Sequence, residues 1–358
     1  MGGGLPLTEP GGRVPLRCGP IRRHPRGCDV ARWCFRSAAC VPILVLALSF
    51  PAAGWAQAGP VDVNLAFVSV SDHTLPLWVG ADEHFFERQG LRPHIQYIEG
   101  SVIATAAMLS GGLDIVQETP AASVRAQLKG ADTIVLASHI PYSDHVLVGA
   151  PEIHSLADLR NKTIGVTKAG TVSDEIVRIV LTKEGFVPGR DVQISFLGTQ
   201  PGQVAALQKG LVQAISVSPP NQLIAERSGG HEILDTAKLH IPYPLDGIVS
   251  TRKFIGAHPE TITAFLKAWL QAIRFIRTHP IEAQAVLGKY THESDPQILR
   301  LSYQALVDIM PASPVPRAAE IQTALSLIPE GGGRNPADFF DPKPIEQAIR
   351  VLGPSAGP

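Results

Sequence analysis

The sequence predicts an α/β protein of two similar lobes followed by a helical C-terminal segment, and three observations carry that prediction. Short apolar runs alternate with amphipathic stretches from residue 61 to about residue 227, the pattern of strands feeding helices. The punctuation then repeats at an offset of 99 residues. Ala106, Ala107, Gly111, Pro120 and Gly130 map onto Ala205, Ala206, Gly210, Pro219 and Gly229, and Leu113, Ile115 and Val116 onto Val212, Ala214 and Ile215. The remainder, after Asp246-Gly247, reads mainly as helix.

In chain order, Val61 to Val70 reads as a strand, and Pro76 opens a helix through Phe86 because proline suits a first turn. A strand over Pro93 to Ile98 leads into a helix with Ser101 as its N-cap and Gly111-Gly112 as its end. Asp114 to Val116 is a buried strand, Pro120 to Leu128 a helix, and Thr133 to Ser138 a strand. The second series has strands at 144–148, 163–166, 192–197 and 214–217 and helices at 155–160, 173–184, 202–209 and 221–227. Ile248 to Ser250 is strand-like, and helices follow over 259–277, 281–290, 296–309 and 344–352, with loops at 311–316 and 331–336.

The first 58 residues differ from the rest. Arg32 and Arg36 precede an apolar run from Ala38 to Phe50, then Pro51, Gly54 and Ala56-Gln57-Ala58, the order of a secretory signal peptide cleaved after Ala58. A thirteen-residue apolar run spans about 20 Å as helix, short of a bilayer core of ~30 Å, so an anchor is not expected. Residues 1–29 add nothing such a leader needs, which suggests a translation start near Val30. Arg22-Arg23 lies too far upstream of the apolar run to read as a twin-arginine signal.

The whole chain of 358 residues carries 31 Lys+Arg, 32 Asp+Glu and four Cys. Seven Arg, two acids and all four Cys fall before residue 59, leaving a 300-residue chain with a formal charge of −6 and no thiol. Disulfides, thiol nucleophiles and Cys-ligated zinc are thereby excluded from the mature chain. A mild acidic excess and 6% aromatics argue against a nucleic-acid groove.

Hydrolase, metalloprotease, P-loop and dinucleotide motifs are not found, and no cofactor is expected. His139, His145 and His154 could meet in space, but isolated histidines are more often structural, so no metal is expected there. What recurs is a strand entering a helix N-terminus through a short polar segment: 71–74, 100–101, 117–119, 167–171 and 216–218. In an open α/β sheet these segments gather where the strands end, and helix N-termini offer unpaired N–H groups and partial positive charge to an oxyanion. The ligand-binding candidates are Ser71, His73, Ser101, Glu118, Thr119, His139, Thr167, Thr171 and Ser218. Each Ser or Thr, taken singly, is as well explained as a cap of its own helix.

Several segments resemble a known family. Leu75-Pro76-Leu77, the run Glu83 to Leu91, the run Leu109 to Ile115, Lys129-Gly130-Ala131 and the run Ile153 to Val166 are similar to motifs of the nitrate/sulfonate/taurine-type periplasmic substrate-binding proteins of ABC transporters. That family is related to binding proteins for thiamine pyrimidine precursors. The resemblance runs from about residue 61 to 275, with Asn161 where the family usually has Gly and Gln213 where it often has Asp. It implies the type II periplasmic binding protein fold, a Venus flytrap with lobe 1 at 59–141 plus 247–358 and lobe 2 at 142–246, joined by two crossover strands. It implies a monomeric periplasmic protein, not an enzyme, that captures a small polar ligand such as a sulfonate, taurine or nitrate and presents it to a membrane permease. The alternatives are a pyrimidine- or amine-type thiamine precursor as ligand, or a pyrimidine-synthase-like enzyme on the same fold. Glu118, near the expected pocket, would repel an anion unless paired or protonated.

Overall fold

The structure, a computed structural model, describes residues 59–240 and 242–353. The leader, its cleavage point and the four cysteines lie outside the described residues.

The first series of elements is β1 (Val61–Phe67), α1 (Leu75–Asp82), α2 (Phe85–Arg88), β2 (Leu91–Tyr97), α3 (Ser101–Leu109), β3 (Ile115–Glu118), α4 (Pro120–Leu128) and β4 (Thr133–Tyr142). The second is β5 (Val146–Gly149), β6 (Thr163–Val166), α5 (Val172–Lys183), β7 (Gln193–Phe196), α6 (Gln200–Gln208), β8 (Ala214–Val217), α7 (Asn221–Arg227) and β9 (His231–Asp235). The long β10 (Pro242–Thr251) then returns to the first sheet and six helices follow: α8 (Arg252–Ala257), α9 (Pro259–Thr278), α10 (Pro280–Thr291), α11 (Pro296–Ile309), α12 (Ala318–Ser326) and α13 (Lys343–Leu352).

Two five-stranded sheets result, ordered β2-β1-β3-β10-β4 and β7-β6-β8-β5-β9. In each, three parallel strands are followed by one antiparallel strand supplied by the other half of the crossover: β10 runs against β3 and β4, β5 against β8 and β9. The expected two-lobed periplasmic binding protein architecture with a helical C-terminal segment is what forms.

The 99-residue echo is structural. Helices α3 and α6 and strands β3 and β8 begin and end that far apart. Gly111 and Gly210, which close the two helices, both sit at positive φ (85° and 67°), where a side chain would be strained. The polar register repeats too: Asp114 Oδ2 accepts the Asn64 N–H at 2.7 Å, and Gln213 Oε1 accepts the Thr163 N–H at 3.1 Å. Gln213 therefore does what Asp114 does, and Asn161, at φ 60°, takes the left-handed conformation that glycine favours and asparagine tolerates.

Each lobe has its own core. The second-lobe core gathers Val166, Val177, Leu181, Ile215 and Val217, all 0% exposed. The first-lobe core is larger because α9 lies on it. Ile262, Phe265, Leu266, Trp269, Leu270, Ile273 and Ile276 recur at helical spacing and are buried against α1 and α13. Each such side chain contributes about 1.5–3 kcal/mol on burial.

Three differences from the sequence reading have local causes. The helix expected over 76–86 is broken at His84 (φ 53°), a turn that sends Phe86 back beneath Gly80 and onto Phe265, ring centroids 5.5 Å apart. Strands expected at 133–138 and 248–250 extend to Tyr142 and back to Pro242, because register shifts between them leave Pro141 and Pro244 free of ladder bonds. Strand β9 and helix α12 were not expected. β9 lacks a fully buried residue and so lacks an apolar face to read.

Candidate ligand cleft

A cavity of about 400 Å³ opens between the two lobes. Lobe 1 lines it with Val68, Ser69 and Val70 after β1, Tyr97 at the end of β2 and Glu99 beyond it, Gly100-Ser101 at the start of α3, and Thr119 after β3. The second series contributes His145, Thr167 and Lys168 after β6, Thr171 and Val172 at the start of α5, and Gly198 to Pro201 at the start of α6. Tyr290, Thr291 and His292 enter from the end of α10.

Both lobes build their wall with the same device. The Thr119 N–H donates to Ser101 Oγ at 3.2 Å, and 99 residues on the Ser218 N–H donates to Gln200 Oε1 at 2.9 Å. In each case the first residue of a helix holds the residue that follows a strand. The turn after β6 is fixed by hydroxyls: Thr167 Oγ1 is 2.6 Å from Thr171 Oγ1 and 2.7 Å from Ser173 Oγ, and Thr171 Oγ1 donates to the Lys168 carbonyl at 2.7 Å.

Helix N-termini and one ion pair set the electrostatics of the cavity, and the first turn of α5 also carries Asp174 and Glu175. Helices α3, α5 and α6 all present their N-termini to the cavity, and those of α3 and α5 receive no side-chain cap, leaving first-turn N–H groups for a ligand. Thr199 caps α6 by accepting the Gly202 N–H at 3.1 Å. Lys168 is the only Lys or Arg among the described residues that line the cavity, and its ammonium faces Glu99 Oε1 at 3.2 Å from the opposite wall.

Of the candidates read from sequence, Ser101, Thr119, Thr167 and Thr171 line the cavity. Ser218 lies behind the wall against Gln200, and Ser71, 0% exposed, lies near Ser69 Oγ at 3.2 Å. Glu118 points away from the cleft: both its oxygens accept Thr105 Oγ1 at 2.9 Å. Burial pushes its carboxyl well above the usual range against the effect of that bond, so it does not set the charge of the cavity. His73 and His139 belong to a buried polar cluster where the lobes join. His73 Nε2 contacts Asp144 Oδ2 at 2.6 Å, and His139 Nε2 meets the His73 carbonyl at 2.9 Å. Burial would lower His73, but Asp144 and Asp72 outweigh it and raise it to about 10, while burial lowers His139 to about 3. Burial pushes Asp72 up to about 8 and Asp246 well above its usual range; Asp144, which burial would also raise, is held low by His73. His139, His145 and His154 do not gather: His154 stacks instead on His231, ring centroids 4.8 Å apart.

Sequence reasoning missed Tyr97, Glu99, Lys168 and the 290–292 wall. Lys168 and the Thr199-Gln200 pair were legible, the first inside the 167–171 segment and the second 99 residues beyond Gly100-Ser101. Nothing local marks Tyr290.

Comparison with known proteins agrees with the architecture. A protein of known structure from Bordetella bronchiseptica RB50 is 23% identical, with a TM-score of 0.74 over 82% of this chain and 98% of its own. The alkanesulfonate-binding protein SsuA from Xanthomonas axonopodis pv. citri, bound to MOPS, is 17% identical (TM-score 0.63, 75% and 91% covered). The periplasmic nitrate-binding protein NrtA from Synechocystis PCC 6803 is 14% identical (TM-score 0.66, 82% and 89% covered). No curated protein matches by sequence. Residues 56–288, well over half of the chain, match the NMT1-like family, and the chain belongs to that family.

Proposed function

We propose that the protein is the periplasmic solute-binding component of an ABC importer, and that it captures a small polar ligand bearing an oxyanion, a sulfonate, taurine, nitrate or similar, without turning it over. The observation that carries this reading is the convergence of three helix N-termini and Lys168 on one cavity of about 400 Å³ between two lobes. A cavity of that size holds a small organic molecule, and the arrangement supplies fixed N–H donors and a single mobile cation to an oxyanion. The fold it shares with alkanesulfonate- and nitrate-binding proteins supports the same reading.

In this reading residues 1–58 are removed on export, the lobes divide at 141/142 and 246/247, and the monomer closes about the two crossover strands before docking on its permease. Tyr97, Tyr290 and Glu99 share the wall, and they favour a second ligand class, a planar aminopyrimidine, stacked on the rings with its amino group on Glu99. Isothermal titration with taurine, short alkanesulfonates, nitrate and aminopyrimidines separates the two. Saturable one-site binding of an anion supports the first reading, binding of pyrimidines alone the second, and silence across the panel removes both.

A further inference from the structure

Beneath the cleft lies a cluster that ligand capture does not use. Asp72 and His73 stand in a short 3₁₀ turn after β1, and Asp144 follows β4 in the crossover. They are 0%, 4% and 6% exposed, and one ligand atom from each lies within 4.8 Å of the others. Both oxygens of Asp72 and Oδ1 of Asp144 are buried without a hydrogen-bond partner, as are Nδ1 of His145 and Oδ1 of Asp246 beside them. His73 Nε2, 3.7 Å from Asp72 Oδ1 and 2.6 Å from Asp144 Oδ2, serves both acids, and one imidazole leaves most of these buried oxygens without a hydrogen bond, which is costly.

We propose that Asp72, His73 and Asp144 bind one divalent metal ion of the zinc class at the junction of the lobes. The charge closes: two carboxylates and a neutral imidazole balance a dication. The donor set suits a borderline ion, with nitrogen at about 2.0–2.1 Å and carboxylate oxygen at about 2.0–2.2 Å. His73 Nε2 and Asp144 Oδ2 are hydrogen-bonded at 2.6 Å. Ligands of one tetrahedral centre at those bond lengths stand roughly 3.3 Å apart, so the ion replaces the proton between them as this pair opens by under about 1 Å and Asp72 Oδ1, 3.7 Å from His73 Nε2, draws in. His145, whose Nδ1 lies 3.6 Å from Asp144 Oδ1, also lines the cleft and marks the way in from solvent. Its ring and Asp246 stand beside the three residues as polar groups that a bound ion's ligands or water could engage. Because the Asp72 N–H donates to the Pro219 carbonyl of the second series at 3.4 Å, the ion stiffens the hinge.

The test uses the tag-free protein, stripped with a chelator, reloaded separately with zinc, manganese or calcium, and passed over a desalting column. The expected result is close to one equivalent of zinc retained and a melting temperature raised by several degrees. Asp72→Asn and Asp144→Asn should each weaken zinc at least tenfold, whereas His154→Ala, which removes the exposed member of the His154–His231 stack, should leave it unchanged. Zinc lost in His154→Ala and kept in Asp72→Asn would mean adventitious surface binding and overturn the proposal, as would no retained zinc in the unaltered protein. Should the Asp variants fail to fold, X-ray absorption of the zinc-loaded unaltered protein decides. One imidazole, or two if His145 joins His73, together with oxygen ligands supports the site; imidazole ligation that disappears in His154→Ala points to His154 and His231 and overturns it.

Discussion

Glu99 and Lys168 meet across the cleft, one from each wall, with Lys168 Nζ 3.2 Å from Glu99 Oε1 and both side chains about one-third exposed (32% and 38%). A pair so exposed contributes on the order of 0–1 kcal/mol, which makes it a latch that a bound anion can exchange for itself. Arg125 with Glu175 and Arg227 with Asp295 also link segments on either side of the cleft.

Lys168→Gln should weaken anion binding by about 10–100-fold, the loss expected when a hydrogen bond to a charged group is removed. Calorimetric titration reads it. An unchanged affinity would take Lys168 out of the site.

Ligand binding should be visible in tryptophan fluorescence through Trp78. Its indole stacks on Tyr290, which lines the cavity, with ring centroids 4.9 Å apart and planes 5° from parallel. Trp269 instead donates to Gln117 Oε1 at 3.3 Å, within the first-lobe core. The ligand-induced change should vanish in Trp78→Phe and persist in Trp269→Phe; the opposite pattern contradicts the placement of Tyr290.

Two glycines of the sheets should respond differently to alanine. A Cβ on Gly247 would stand 2.1 Å from the Ala137 carbonyl oxygen, backbone that is fixed in the β4–β10 pairing. On Gly165 it would stand 2.5 Å from Leu197 Cδ1, the end of a flexible side chain. Gly247→Ala should cost about 3 kcal/mol or more and Gly165→Ala about 1 kcal/mol, by the usual cost of overpacking. Denaturant midpoints that rank the two the other way would contradict the register of the crossover strands.

Glu320 supplies a pH test away from the cleft. Its carboxyl, 2% exposed on α12, accepts Ser138 Oγ at 2.6 Å and Arg317 Nε at 2.8 Å. Burial raises its pKa above the ordinary glutamate value of 4.5 despite those bonds. Protonation therefore favours the folded state: the contribution is full below about pH 4.5 and is lost as pH rises through the raised folded value. Glu320→Gln should gain in melting temperature relative to the unaltered protein as pH rises from 4 to 7. A difference independent of pH would show that the carboxyl is not strained by burial.

The sequence carried the parts of this molecule that local chemistry dictates. Gly111 and Gly210 had to be glycine to end their helices at positive φ, and Ser101 and Thr119 announced a strand running into a helix. The repeat was legible because both lobes solve the same turn. What escaped depends on contacts distant in sequence. Tyr290 reaches the cavity from a helix nearly two hundred residues beyond Tyr97, and the extensions of β4 and β10 through Pro141 and Pro244 depend on register shifts that exist only in the paired strands. Glu118 read as a pocket residue because the strand was expected to end at Val116, but β3 runs on through Glu118 and alternation along it turns the side chain onto Thr105 of α3.

The central claim is that an oxyanion sits where the helix N-termini converge, and locating one tests it most directly. A crystal of the protein with 2-bromoethanesulfonate, phased on bromine, should place the sulfonate against the start of α3 and α5 with Lys168 turned toward it. A sulfonate bound only outside the cleft, or a cleft occupied by a cationic ligand seated on Glu99, would contradict it.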